Sequence, residues 1–290
     1  MADIVFAGAA AHAPGLTGWF EKAEAGTQAE VRDAYRRLGD EIQQAQLDVL
    51  LIVANDHILN YDPSDYPDFV IGTSAEHTGP AEWFKPWLAV DDYRMPGRPD
   101  VAEILYERLA EADVRVVRND ELSFDDNISV PVTMTGFKEH GTALVPVIQN
   151  CTVPPVPDER TSYALGERLG RIIRDELPDG LRVGLLGSGG LSHEPGGPRY
   201  LEIDDEFDRW FLDLLAEGDH EKVLDQATLE RMEQAGAGGT AELLSWIVVM
   251  GAIGRRDCEV LCYAAVPDWR CGVGAVRWEL DREPATTIGG

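Results

Sequence analysis

The stretch Leu185-Leu186-Gly187-Ser188-Gly189-Gly190-Leu191-Ser192-His193-Glu194-Pro195 decides how this chain is read. The mostly apolar residues 183–186 read as a buried strand. The glycines then end it and let the backbone turn sharply. The turn delivers His193 beyond the strand's carboxyl end, which in open α/β sheets is where ligands bind. Taken alone, the same residues equally describe a glycine-rich turn with a surface histidine, because short glycine motifs are weak signals. The rest of the chain has to decide.

Working outward, apolar runs at 4–10, 47–54, 69–73, 114–117 and 143–148 predict further strands. The run 47–54 is nearly continuous Leu, Ile and Val, as expected for a strand buried on both faces. Helical spacing covers 19–46, 99–112, 158–176, 204–215, 222–224 and 241–251, with Pro99 suited to a first turn. Residues 259–266 and 275–280 predict two closing strands. Strands alternating with helices argue for an α/β fold, a mostly parallel central sheet with helices on both faces. No repeat or linker divides the chain, so 1–280 is expected to be one domain and 281–290 a polar tail. Residues 75–99 hold Trp83, Trp87 and four prolines without a period, and predict a long loop with about one helical turn, covering a pocket. Residues 122–131 read as a polar loop containing Phe124-Asp125-Asp126-Asn127.

Lys plus Arg number 25 against 52 Asp plus Glu, a net charge of −27. Nucleic acid and anionic membrane are thereby excluded as partners, since both need clustered positive charge. The four cysteines, Cys151, Cys258, Cys262 and Cys271, contain no C-x-x-C pair and are expected as free thiols in a reducing compartment. The first residues lack a basic n-region, and no apolar run is long enough to span a bilayer. The expectation is a cytoplasmic protein.

Of six histidines, His12, His57 and His193 each follow a strand candidate by a few residues. In a mainly parallel sheet such strand ends share one rim, so the three can converge. Neutral imidazoles suit iron, zinc or copper, and two histidines with one carboxylate is the open-faced arrangement of non-haem Fe(II) oxygenases. Spacing does not name the carboxylate. Glu242 stands at the start of an apolar helix after Gly238-Gly239-Thr240, where a capped helix start explains it equally well. His77 is read as a residue of the Trp-rich loop, and His140 and His220 as solvent-facing.

Four separated motifs then carry a resemblance: Ala11-His12-Ala13-Pro14, Asn55-Asp56-His57, Gly187 to His193, and Gly239-Thr240-Ala241-Glu242 leading into Leu243-Leu244-Ser245-Trp246. Ser129-Val130-Pro131, Tyr163-Ala164-Leu165-Gly166 and Pro267-Asp268-Trp269 extend it over nearly the whole chain. The sequence resembles the class III, LigB-type extradiol ring-cleavage dioxygenases, the family of the catalytic subunit of protocatechuate 4,5-dioxygenase. The resemblance implies that 1–280 is a catalytic domain that opens a catechol-like, aminophenol or dihydroxypyridine ring with O2. It implies Fe(II) on His12, His57 and Glu242, and an acid/base role for His193. Asp56, next to His57, is expected to orient that ligand or to serve structure. The resemblance further implies a homo-oligomer, with a small partner subunit in some relatives.

One departure stands out. Many relatives carry Asp-His-Gly where this chain has Asp125-Asp126-Asn127, so Asp126 takes the place of a substrate-contacting histidine. Asp126 is expected as a base or as an acceptor for a donor-bearing substrate, and it disfavours a carboxylate nearby. Arg270 either binds a substrate carboxylate or makes a surface salt bridge. Two other readings are open: a non-catalytic ligand-binding member of the fold, and a metal-dependent hydrolase.

Overall fold

The computed structural model describes residues 1–112 and 114–280, so the tail expected at 281–290 lies outside the described residues. The strands are β1 (Asp3–Ala10), β2 (Val49–Asn55), β3 (Phe69–Gly72), β4 (Glu76–Gly79), β5 (Tyr93–Pro96), β6 (Val116–Asn119), β7 (Ala143–Gln149), β8 (Arg182–Ser188), β9 (Cys258–Val266) and β10 (Cys271–Trp278). The helices are α1 (Gly15–Gly18), α2 (Ala25–Gln44), α3 (Lys85–Leu88), α4 (Pro99–Glu111), α5 (Asp126–Met134), α6 (Glu159–Glu176), α7 (Asp205–Ala216), α8 (His220–Gln226), α9 (Leu229–Ala235) and α10 (Leu244–Ile253).

Eight strands form one sheet in the order β6-β3-β7-β2-β8-β1-β10-β9. Its centre, β7-β2-β8-β1, is parallel throughout. β3 runs antiparallel to β7 with β6 parallel to it, and β10 and β9 close the other edge antiparallel. The α/β architecture expected from the alternation of elements is the one observed. Strand β2 explains why both faces are covered. Val49, Leu51 and Val53 enter one apolar core with α4, α6, α7 and α10, whereas Leu50, Ile52 and Ala54 enter a second with α2 and α5. Successive side chains of a strand point to opposite faces, so an unbroken apolar run needs a helical layer on each.

Helices α6 and α10 lie against each other at glycine distance. A Cβ on Gly166 would overlap the Val248 carbonyl oxygen, one on Gly170 that of Ala252, and one on Gly251 that of Tyr163. The obstacles are backbone atoms, which cannot rotate away. This contact backs the helix that follows directly on the turn carrying Glu242.

Three expectations change. Residues 75–99 are not one loop: β4 and β5 pair as a separate antiparallel hairpin, with α3 between them. The polar stretch 122–131 is not all loop, because α5 begins at Asp126 with Asp125 as its side-chain cap, accepting from Asn127 N. The last strand begins at Cys271 rather than 275, which puts Cys271 and Gly272 on the sheet.

Gly166→Ala should lower the unfolding free energy by about 1–3 kcal/mol, the usual cost of overpacking a tight core. Denaturant midpoints with an unchanged slope would check it, with Gly26→Ala, where a Cβ meets nothing within 4 Å, as the neutral control.

Candidate metal centre and active site

His12, His193 and His57 leave the sheet from β1, β8 and β2, three adjacent parallel strands whose carboxyl ends share one rim. The 3-10 turn Thr240–Leu243 at the head of α10 brings Glu242 underneath them. The Glu242 carboxylate is buried. Its Oε2 lies 3.0 Å from His12 Nε2 and its Oε1 3.0 Å from His57 Nε2 and 3.5 Å from His193 Nε2. Asn55 Nδ2 and the Gly190 amide also donate to it, at 3.1 and 2.8 Å. Burial alone would push this carboxyl up, but His12 and His193 outweigh it and hold the pKa well below the usual range.

The donor set fits a metal ion. Two donors at right angles on bonds of about 2.1 Å are about 3.0 Å apart. That is the separation of each histidine Nε2 from a Glu242 oxygen. Ligand atoms of His12, His57 and Asp126 also lie within 4.8 Å of one another, so a second carboxylate stands at the same centre. His57 sits between the two acids. Its Nδ1 is 3.0 Å from Asp125 Oδ2 and 3.2 Å from Asp126 Oδ1. Burial works against the imidazolium here, yet Asp125 and Asp126 raise the His57 pKa well above its ordinary value. The carboxylates that face His57 Nδ1 are therefore those of Asp125 and Asp126, not Asp56. Asp56 instead accepts from the Asn60 amide and the Tyr66 hydroxyl and shapes the loop after β2.

The tautomer of His12 follows from a chain of donors. Pro131 lies inside α5 and has no N–H, so the carbonyl of Asn127, four residues earlier, has no helical partner. The Ser188 hydroxyl donates to that carbonyl at 2.6 Å. Its only proton is thus committed, and His12 Nδ1, 3.0 Å from Ser188 Oγ, must be the donor. Nε2 is left with its lone pair toward Glu242. Tyr35, donating to the Ala11 carbonyl, fixes the residue before it.

The glycine turn has a reason different from the one expected. None of Gly187, Gly189 and Gly190 has positive φ. They are small because the turn is crowded: a Cβ on Gly189 would overlap the Glu242 carbonyl, and one on Gly190 the Cys271 sulfur. Five consecutive amides of the turn go to five places, Gly189 to Ala10, Gly190 to Glu242, Leu191 to Gly272, Ser192 to Asp208 and His193 to Thr240. His193 Nδ1 faces the Leu191 carbonyl at 2.9 Å and is its donor, which leaves Nε2 as the nitrogen that can gain or lose a proton. Burial alone would lower the His193 pKa; Cys271 and Glu242 outweigh it and raise it well above the ordinary value.

These groups open into a cavity of about 210 Å³, lined by His12, His57, Asp126, His193, Glu242 and Cys271 together with Pro14, Phe84, Trp87, Pro195, Tyr200 and Arg270. Arg270 makes no surface salt bridge among the described residues. Its guanidinium lies over Tyr200, Trp19 and Trp87, at 4.7, 5.3 and 5.6 Å from the ring centroids, and its Nε has no partner. Phe84, Tyr200 and Pro195 were not singled out by sequence reasoning; Tyr200 and Pro195 lie in the loop that His193 opens. His77 is buried against Phe124 and lines a separate groove of about 710 Å³ along the hairpin. His220, expected in solvent, is buried with Nδ1 3.0 Å from the Tyr163 hydroxyl, because α8 packs its first turn against α6.

Two histidines with carboxylates gathered at the rim of a parallel sheet, and a further histidine beside them, form a candidate metal centre on an α/β fold. The chain belongs to the LigB family, described as the catalytic LigB subunit of aromatic ring-opening dioxygenase, which matches residues 7–274. It is an extradiol-type ring-cleavage dioxygenase. A 2,3-dihydroxyphenylpropionate/2,3-dihydroxicinnamic acid 1,2-dioxygenase of Burkholderia vietnamiensis is 25% identical, over 91% of this chain and 94% of its own. The enzyme of the same name from Cupriavidus necator is 24% identical over 87% and 91%. The fold is also that of an uncharacterized Escherichia coli K12 protein of known crystal structure, with a TM-score of 0.56, 15% identity and coverage of 94% and 99%. No helix among the described residues is long and apolar enough to cross a membrane.

Ser188→Ala removes the acceptor that fixes the His12 tautomer. Divalent-metal affinity, measured by titration, should fall about 10–100-fold, the usual effect of losing a ligand's orienting partner. In the unaltered chain, affinity should fall as pH falls, since protons compete for the coordinating nitrogens. The raised pKa of His57 makes that loss begin at higher pH than for a free imidazole.

Proposed function

We propose that the chain is an Fe(II)-dependent extradiol dioxygenase whose substrate is a catechol-like ring with an acidic side chain. The observation that carries the reading is the cavity itself. It gathers His12, His57, Glu242, His193 and Asp126 in one lining with Arg270, whose guanidinium has no carboxylate partner among the described residues. His12, His57 and Glu242 are the residues that would hold the metal. Bound Fe(II) supplies the route by which a singlet ring and triplet O2 react, and it favours the deprotonated ring oxygens.

The chain's own residues do the rest. Arg270 binds the substrate's carboxylate, and Trp87 and Phe84 wall the ring. The aromatic rings around Arg270 lower the local dielectric without neutralising it, so an incoming anion meets a full positive charge. Asp126 repels a carboxylate beside it, which sets the direction in which the substrate enters. Asp126 also accepts a hydrogen bond from a ring hydroxyl or amino group. His193 Nε2 takes a proton from a ring hydroxyl and holds it while Nδ1 stays bonded to Leu191. The same nitrogen then returns that proton. Ordering these groups before the substrate arrives removes part of the entropic barrier. The four cysteines are free thiols, which supports a reducing, cytoplasmic setting.

The test gives anaerobically reconstituted protein Fe(II), then air and a panel of catechol, 2,3-dihydroxyphenylpropionate, protocatechuate, gallate, aminophenols and dihydroxypyridines. Oxygen uptake with a yellow ring-opened product is expected, fastest for the acid-bearing catechols; no uptake with any of them overturns the reading. His12→Ala and Glu242→Ala should each lose stoichiometric iron, whereas His193→Ala should keep iron and lose turnover. Arg270→Leu should lower kcat/KM for the acid-bearing substrate about 10–100-fold, the scale of a charged hydrogen bond, and leave catechol nearly unchanged.

A further inference from the structure

Asp208 lies on α7, outside the cavity, yet it is fully buried and has no ion-pair partner among the described residues. Its carboxylate accepts three hydrogen bonds from neutral donors. Oδ1 takes the Ser192 amide at 2.7 Å, and Oδ2 takes the Ser192 hydroxyl at 3.0 Å and the Tyr263 hydroxyl at 3.1 Å. Ser192 Oγ in turn accepts from the Asp204 amide at the start of α7, at 2.8 Å. On its other side Asp208 meets Gly272, where a Cβ would overlap Oδ2, and Gly272 donates its amide to the Ser192 carbonyl at 3.0 Å. One side chain thus ties α7 and β9 to the turn that ends in His193, and fills the space beside the segment holding Arg270 and Cys271.

We infer that Asp208 is the positioning residue of the acid/base histidine, fixing the Gly189–His193 turn so that His193 Nε2 points into the cavity. The inference rests on the role proposed above for His193. A packing role alone would not need a carboxylate. Burying a charge without a cation is costly, and a Leu or Met of similar volume fills space at no such cost. What a carboxylate adds here is acceptor capacity for the amide and the hydroxyl of one residue, Ser192, at once. That double contact fixes both position and orientation of the residue next to His193. The charged groups around it belong to other pairs: Arg209 stacks on the Tyr263 ring and bonds Asp205, and Asp204 caps α7. Burial accordingly pushes the Asp208 carboxyl up to about 7. The fold retains an uncompensated acid at this place.

The full-length Asp208→Ala and Asp208→Asn chains test this by two separate readouts. Backbone amide exchange, measured by mass spectrometry on the purified chain, should speed at least tenfold in a peptide covering 189–194 of the Ala variant, with peptides from β2 and α10 unchanged. After iron loading, kcat should fall at least tenfold in Asp208→Ala and less in Asp208→Asn, which keeps one acceptor, while bound iron and the KM for the ring substrate stay within twofold. Unchanged exchange at 189–194, unchanged kcat, or a loss of kcat that tracks a loss of iron would each overturn the inference. If the Ala variant does not fold, Tyr263→Phe, which frees one carboxylate bond, carries the same readouts with smaller changes. A wild-type chain without ring opening would sink the proposed function and leave the exchange result standing as the measure of what Asp208 holds.

Discussion

The structure turns on one constraint: the Glu242 carboxylate is buried and must be kept charged. A carboxylate out of water is tolerated only when donors and cations surround it. The Gly190 amide and the Asn55 side chain donate to it, and the Nε2 atoms of three imidazoles gather around it, where a shared metal ion would supply the positive charge. These groups come from three strand ends, His12 from β1, Gly190 and His193 from β8, and Asn55 and His57 from β2, so gathering them requires those strands to share one rim. The glycines at 189 and 190 follow from the same requirement, since only a bare backbone approaches closely enough for the Gly190 amide to reach Glu242.

The second histidine layer shows how backbone chemistry propagates into the site. Pro131 costs α5 a hydrogen bond, and the carbonyl it releases becomes the fixed acceptor from which Ser188 and then His12 take their orientation. A residue that reads as a helix defect therefore decides which nitrogen of a ligand is free. Asp125 and Asp126 face His57 Nδ1 on the other side. The two histidines are held by different means, one by a neutral relay and one by charge.

Much of this was legible before the fold was. Runs such as 47–54 and 183–186 announce buried strands because both faces are apolar, and a histidine two to seven residues beyond such a run has to lie on the sheet rim. The order of the strands was not legible, because pairing depends on contacts between distant segments. The hairpin β4–β5 escaped notice because its strands are four residues long and polar on the outward face, as Glu76 and Thr78 show. The helix α5 was hidden by its proline and acidic start, and with it went the true partner of His57: Asp56 is adjacent in sequence, but its side chain turns to Tyr66, while Asp125 arrives from seventy residues away. Tyr200 and Trp19, which frame Arg270, carry no local signal, since only the closed fold brings them to residue 270.

That arginine is gripped by rings from three segments, at 19, 87 and 200. Under the proposed function, reaction chemistry and substrate choice sit on separable parts of the chain. The residues proposed to hold the metal stand at strand ends, while the rings stand outside the large sheet, where substitution alters the shape and charge of the cavity with less effect on the sheet. On that function, a chain with this scaffold could exchange one ring substrate for another by substitution at those segments, with the residues proposed to hold the metal left unchanged.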